Sequence, residues 1–86
     1  MDEWVLRKTC RGDKRFSIQL CRGDYTCRKA DALLVVRKRS AWTWSWLVAT
    51  EAAMLRMPFG SYSHTPEAAQ RKAEAAYEKY VESARR

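Results

Sequence analysis

The amino-acid sequence predicts an α+β fold, an antiparallel β-meander of four to six strands covered by one C-terminal α-helix. Residues 1–60 consist of short apolar segments separated by turn residues, and large and small side chains alternate over residues 41–50. Such alternation is typical of β-strands, whose successive side chains point to opposite faces. Residues 65–84 instead carry a helix start signal and an alanine-rich stretch. At 86 residues, the chain predicts a single domain, residues 1–86.

The first two strands are predicted on either side of a glycine turn. Residues 4–10 form a strand whose charged end is typical of a sheet edge. Residues 11–14 form the turn, where Gly12 supplies a backbone that other residues resist. Residues 15–21 form the second strand, and its core-facing side chains are Phe16, Ile18 and Leu20.

The next segment is the ambiguous one. Residues 22–24 predict a turn and residues 25–28 a short third strand. Residues 30–36 fit either a helical turn and a half or a buried strand, and their two adjacent valines favour a strand over residues 33–38. Residues 37–40, Arg-Lys-Arg-Ser, then predict a basic turn that leads into the tryptophan strand.

The tryptophan strand, residues 41–50, is the segment around which the sheet is organised. Its period of two places one row on the same face, namely Trp42, Trp44, Trp46 and Val48. Residues 54–59 predict one more strand, which is an edge or ends at Pro58 because proline cannot donate to a neighbouring strand. The side chains on one face of that strand are Leu55, Met57 and Phe59.

A helix is predicted over residues 66–84, after a loop at residues 60–64. Thr65 can cap the helix, Pro66 fits its first position, and Glu67 suits the positive end of its dipole. One stripe of the helix carries small and aromatic side chains, namely Ala69, Ala73, Ala76, Tyr77, Tyr80 and Ala84.

The face of the tryptophan row has two interpretations. An alanine-rich helix lets a sheet approach closely, and small against large side chains interdigitate well, which favours the row packing beneath the helix. Alternatively, the row faces outward beside Arg37, Lys38 and Arg39, where it would suit stacking on bases or a protein hot spot.

Charge is distributed unevenly along the chain. The net charge is +7, and residues 7–39 contain eleven Lys or Arg against three Asp. The rest of the chain has six basic and seven acidic residues. A one-sided positive field favours an acidic partner, which is nucleic acid, an acidic protein face or an anionic membrane. No segment approaches the roughly 18 consecutive apolar residues of a membrane span, so we expect no membrane insertion.

The cysteines and the single histidine predict neither a metal site nor catalysis. Cys10, Cys21 and Cys27 are separated by ten and five residues, whereas zinc ligands usually come in closely spaced pairs. An odd cysteine count behind an acidic N-terminus with no apolar run fits a reducing cytoplasm. His64 lacks a nucleophile or paired-carboxylate context, and the glycines are scattered, so we expect no enzyme and no cofactor.

The C-terminal half resembles small phage proteins in the order of Trp42-Thr43-Trp44, Phe59-Gly60 and Thr65-Pro66-Glu67-Ala68-Ala69. In those proteins a meander ends at a glycine and a helix of this type packs across the sheet. Some anti-CRISPR proteins are compact sheets covered by a single helix, and residues 42–81 resemble them in architecture. The resemblance implies a small phage-encoded inhibitor and identifies no functional residues.

The same half is similar to DNA readers built from three strands and a helix, such as AP2 domains and the arm-binding domains of phage integrases. Residues 60–76 are also similar to the last strand and helix of a double-stranded-RNA-binding domain. That family begins with a helix, whereas residues 4–20 of this chain predict strands.

The leading hypothesis is a small non-catalytic phage or mobile-element protein, anti-CRISPR-like, that inhibits a host defence complex in the host cytoplasm. Its basic surface would bind an acidic host protein complex or a ribonucleoprotein. The alternative is a nucleic-acid-binding module that contacts DNA or RNA phosphates. A third possibility is a structural protein whose exposed strand pairs with the same strand of a second copy. The sequence is therefore compatible with a monomer or a homodimer. The candidate binding residues are Arg11, Lys14, Arg15, Arg22, Arg28, Lys29, Arg37, Lys38, Arg39 and Tyr25.

Overall fold

The computed structural model describes residues 3–85, and within them the chain forms two antiparallel sheets and one helix. Strands β1, β4, β5, β6 and β7 form a five-stranded sheet in that order, and β2 and β3 form a separate hairpin. The α+β prediction is confirmed, since a single C-terminal helix covers the larger sheet. The elements are β1 (Val5–Leu6), β2 (Arg11–Asp13), β3 (Ile18–Leu20), β4 (Tyr25–Arg28), β5 (Ala32–Ser40), β6 (Thr43–Thr50), β7 (Met54–Arg56) and α1 (Pro66–Ala84).

The five-stranded sheet has a helix face and a hairpin face. On the helix face, Leu34 and Val48 pack against Ala73 of the helix. On the hairpin face, Phe16 and Leu20 of the hairpin region pack on side chains of β5 and β6. Strand β5 therefore lies between two layers, and its residues 32–36 are all buried. Burial on both faces explains why that segment reads as a continuous apolar run without alternation.

The tryptophan row lies on the helix face, as small-against-large packing predicts. Trp46 packs against the core beneath the helix. The Trp44 ring contacts the Tyr25 ring at a centroid distance of 5.7 Å and a tilt of 55°. Trp42 does not join the row, because it sits in the turn between β5 and β6 and is 78% exposed.

The helix begins and ends where the sequence predicts. Thr65 adopts an extended conformation, and its hydroxyl accepts a hydrogen bond from the backbone N–H of Ala68 at 3.1 Å. That bond satisfies one of the free N–H groups of the first turn. Ala69 and Ala73 are fully buried against the sheet. A larger side chain at either position would push the helix and the sheet apart.

The first hairpin differs from the prediction in the position of its turn. Residues 11–13, predicted as a turn, form β2, and the turn instead covers residues 14–17, which were assigned in part to a strand. The reason is local hydrogen bonding: the Asp13 carboxylate accepts the backbone N–H of Phe16 at 3.3 Å, and Ser17 has a positive φ of 53°. The predicted core side chains keep their role, since Phe16 and Leu20 are buried.

Two further boundaries also differ. The predicted basic turn at residues 37–40 is the end of β5, and the turn is residues 41–42. Leu55, Met57 and Phe59 were predicted on one face, but Leu55 packs in the helix-face core and Met57 lines a depression on the hairpin face. Phe59 is 100% exposed in a turn that follows the end of β7. Strand β7 ends at Arg56, two residues before Pro58, and proline is typical of the ends and edges of sheets.

Candidate functional site

Four cationic side chains surround a depression beside the hairpin, and we call it the basic cleft. Its volume is about 690 Å³, and its lining residues are Arg7, Arg11, Gly12, Asp13, Lys14, Leu20 and Arg28. Strand β2 and the following turn position Arg11 and Lys14, and both side chains are exposed. Arg28 reaches the same face because it lies opposite Leu33, which belongs to the hairpin-face core. Elements that are distant in sequence thus place like charges around one cleft.

Asp13 is the single carboxylate among the lining residues of the basic cleft. One of its oxygens accepts a hydrogen bond from Arg28 Nη2 at 2.8 Å. This contact lowers the pKa of Asp13 and outweighs the opposing effect of burial, and backbone N–H groups lower the pKa further. Asp13 therefore stays ionised and neutralises Arg28, which leaves Arg7, Arg11 and Lys14 as uncompensated charges in the cleft.

Arg7 and Arg22 lie next to each other at the rim of this region. The Gly23 N–H, one residue beyond Arg22, donates to the carbonyl oxygen of Arg7 at 2.9 Å. Arg22 is exposed in that turn, and Arg7 Nε is buried without a hydrogen-bond partner. A buried nitrogen without a partner is unusual, because most buried polar groups are hydrogen-bonded. Arg7 was not among the predicted site residues, although it lies two residues after Val5 and strand alternation places the two on one face.

Arg37 has a structural role, because its guanidinium is bonded to Asp24 within the fold. Asp24 is 2% exposed and accepts bonds from Arg37 Nε at 3.0 Å and Arg37 Nη2 at 2.9 Å. The same carboxylate accepts the N–H of Cys21 at 2.8 Å, and Arg37 Nη2 also donates to the Gln19 carbonyl oxygen at 2.9 Å. Asp24 raises the pKa of Arg37 through these bonds. The network attaches β3 to the sheet.

Arg15 is also used within the fold. Its guanidinium pairs with Glu51 and donates to the Ala30 carbonyl oxygen at 2.9 Å. It also lies over the Phe16 ring at 4.9 Å from the centroid. Arg15 thus holds the hairpin turn against two other loops, and little of its charge remains for a partner.

Three predicted site residues lie on the helix face, away from the basic cleft. Lys29 Nζ is 5.5 Å from the centre of the Tyr77 ring, and Lys38 Nζ is 6.0 Å from that of Trp44. Tyr25 is half-buried against Trp44. The prediction treated all the cations of this half as one surface, whereas alternation along β5 sends Lys38 to the face opposite to Arg37.

A second depression lies on the hairpin face over β5, β6 and β7, and we call it the apolar groove. Its volume is about 440 Å³, and the described residues that line it include no carboxylate. Arg39, the remaining predicted site residue, is exposed at its wall, together with Arg56, which the sequence analysis did not select. Its lining residues are Ser17, Ile18, Gln19, Val35, Arg37, Arg39, Ser45, Trp46, Leu47, Met54, Arg56, Met57 and Phe59.

The side chains that carry reactive chemistry are dispersed. Within residues 3–85, no three His, Cys, Asp or Glu side chains come together as metal ligands could. Cys10 is exposed, Cys21 half-buried and Cys27 buried, and none of the three forms a disulfide. His64 is exposed, with Nδ1 at 3.1 Å from the Trp42 carbonyl oxygen. What the hairpin face assembles is a set of cationic donors suited to binding anions.

Comparisons of the chain with known protein families, with curated proteins and with solved structures find no match. The one helix in the described part of the chain lacks the apolar length needed to cross a membrane. It carries charged side chains throughout, from Glu67 to Glu82.

Proposed function

We propose that this chain is a non-catalytic binding domain that holds nucleic acid by its phosphates in the basic cleft. The observation that carries the proposal is the cleft itself, in which four cations surround one carboxylate that is already paired with Arg28. Phosphate oxygens accept charge-assisted hydrogen bonds from Arg and Lys, and such contacts supply most of non-specific affinity. The cleft offers those donors in a concave arrangement that a strand of phosphates can enter.

The exposed rim supports the same proposal. Arg11, Lys14 and Arg22 are exposed and form no ion pair within residues 3–85. Surface cations without an ion pair can neutralise phosphates, and the counterions that this releases from the nucleic acid drive binding. By contrast, Arg15 and Arg37 are held in ion pairs and contribute to the fold. The predicted binding set therefore divides into cations that build the surface and cations that are free to bind.

The test is fluorescence anisotropy of labelled duplex DNA, single-stranded DNA and RNA at two salt concentrations. We expect affinity that falls steeply with salt, and a loss of about tenfold or more when Arg11→Glu and Lys14→Glu are combined, because two phosphate contacts become repulsive. The matched control combines Arg71→Glu and Lys72→Glu, which makes the same charge change on exposed positions of the helix. Equal losses in the two variants, or a salt-insensitive affinity, would contradict the proposal.

A second candidate function is the predicted inhibition of a host defence complex by a small phage-type protein in the host cytoplasm. The apolar groove favours a protein partner, because apolar surface with cationic side chains at its wall is typical of protein interfaces. In an interference assay against a CRISPR effector, we expect inhibition that a groove variant, Arg39→Glu with Arg56→Glu, reduces. No inhibition by the native protein would rule out this candidate for that effector.

A further inference from the structure

The apolar groove differs chemically from the basic cleft, which lies on the other flank of the hairpin. Its floor and walls include Val35, Leu47 and Met57, and the Phe59 ring is 100% exposed at its border. An aromatic ring that stands fully in water beside an apolar depression is typical of a binding hot spot. Arg39 and Arg56 add positive charge without a nearby carboxylate among the lining residues. The groove thus suits a ligand that is both apolar and anionic.

The edge of β7 supplies backbone groups next to this groove. The Thr50 N–H donates to the Ala53 carbonyl oxygen at 2.8 Å, and the Met57 N–H donates to the Trp46 carbonyl oxygen at 3.4 Å. In an antiparallel pair, alternate residues bond to the same neighbour. The N–H and C=O groups of Met54 and Arg56 therefore point away from β6, toward the open edge of the sheet. The side chains of the same two residues line the groove.

We propose that an extended, acidic segment of a partner protein adds to β7 as a further strand and places alternate apolar side chains against the apolar groove. The backbone groups of Met54 and Arg56 would bond to the added strand. Asp or Glu side chains of the segment would meet Arg39 and Arg56, which fixes the sign of the partner's charge. This docking site is separate from the basic cleft, so it does not depend on nucleic-acid binding there.

The short length of β7 defines what the segment must contain. Three residues extend only about 10 Å and offer few main-chain hydrogen bonds. Most of the affinity must then come from side chains that enter the groove and cover Phe59 and Met57. An acidic segment without apolar residues would bind weakly, and an apolar segment without carboxylates would leave the arginines uncompensated.

The experiment selects peptides from a random dodecamer library displayed on phage. The library is first depleted on a variant that combines Arg39→Glu, Arg56→Glu and Phe59→Ser, and is then panned on the native protein. All three positions are exposed, so we expect the variant to melt close to the native protein. The expected peptides alternate apolar residues with Asp or Glu. A synthetic consensus peptide should lose about tenfold or more in affinity for the Arg39→Glu, Arg56→Glu variant, because charge-assisted bonds are reversed.

The controls separate this site from its alternatives. The consensus peptide should bind equally well to the Arg11→Glu, Lys14→Glu and the Arg71→Glu, Lys72→Glu variants, which leave the groove intact. No enrichment over the depleting variant, or enrichment of neutral or basic peptides, would overturn the proposal. It would also be overturned if single-stranded DNA displaced the peptide from the groove, or if Phe59→Ser dissociated a dimer of the native protein in sedimentation, because nucleic acid or a second copy would then be the occupant.

Discussion

The two faces of the five-stranded sheet are covered in different ways. On the helix face, a 19-residue helix lays its buried alanines across β5 and β6. The charges of that helix nearly balance, with Glu67, Glu74, Glu78 and Glu82 against Arg71, Lys72 and Lys79. On the hairpin face, a hairpin of two three-residue strands covers a smaller area, and the basic cleft and the apolar groove lie beside it.

This difference shows how an 86-residue chain can divide stability and binding between two surfaces. A long helix closes one face, where Val48 of the tryptophan row is buried and Trp44 and Trp46 are half-buried. A short hairpin closes the other face incompletely, so cationic side chains can stay in contact with water. Strand β5 belongs to the core of both faces, because its residues 32–36 are buried on each side. We therefore expect helix-face changes to alter stability alone and most hairpin-face changes to alter binding.

The largest expected effect comes from a hairpin-face residue that does not bind a partner. Asp24→Asn should lower the free energy of unfolding by about 3 kcal/mol, because it leaves the partly buried Arg37 guanidinium without its counter-charge. Urea denaturation at pH 7 measures the loss. As a control, Asp31→Asn removes an exposed carboxylate that accepts the Tyr77 hydroxyl at 2.6 Å, and should cost less than about 1 kcal/mol. Similar losses would show that Asp24 does not anchor the hairpin.

On the helix face, Ala73→Leu should lower the free energy of unfolding by about 2 kcal/mol, since the added methyl groups have no space against β5 and β6. Thermal denaturation checks this value. At a temperature where the variant is folded, its affinity for nucleic acid should equal that of the native protein. A weakened affinity there would mean that the helix face takes part in binding.

Asp13→Asn should change stability and binding in opposite directions. The folded-state pKa of Asp13 is lowered, so its contribution to stability is present above the unfolded pKa of about 3.9 and is lost as pH falls through the folded value. Because Arg28 is 58% exposed, screening limits that contribution to about 0.5–1 kcal/mol. Below about pH 4, the free energy of unfolding of the variant should fall less with decreasing pH than that of the native protein.

The same substitution removes the one carboxylate among the described residues that line the basic cleft. Nucleic acid should therefore bind the Asp13→Asn variant more tightly than the native protein in the anisotropy assay at pH 7. An unchanged or weaker affinity, with the fold intact by circular dichroism, would place the binding surface away from this cleft.

The smallest expected effect is Tyr77→Phe, which removes the hydrogen bond to Asp31 and keeps the ring. The free energy of unfolding should fall by about 0.5 kcal/mol, because both partners are open to water. Differential scanning calorimetry resolves a change of this size. Nucleic-acid affinity should not change, and a measurable change would contradict the division between the two faces.

The parts of the fold that the sequence predicted are those with strong local signals. The helix from Pro66 to Ala84 follows from the Thr65 cap and the alanine stripe, and alternation identified β6. The position of the first hairpin was not predictable in the same way. Its turn rests on the local bond from the Phe16 N–H to the Asp13 carboxylate and on a positive φ at Ser17, which a residue other than glycine rarely adopts. Its attachment to the sheet depends on the Asp24–Arg37 pair, which only the tertiary fold brings together.

For the binding surface, only the sign of its charge was predictable from the sequence. The charge excess of residues 7–39 indicated a basic surface, but ion pairs with Glu51 and Asp24 occupy Arg15 and Arg37. Strand alternation also moves Lys38 to the helix face, which a count of charges cannot reveal. Arg7 and Arg56 join the hairpin face through strand pairing alone.

The most direct test of the division between the two faces is an NMR titration of the ¹⁵N-labelled protein with a short single-stranded DNA. We predict that the largest amide shifts occur at Gly12, Asp13, Lys14 and Arg28, around the basic cleft. The amides of helix residues 67–84 should move little. Shifts centred on the helix, or spread evenly over both faces, would contradict the assignment of binding to the hairpin face.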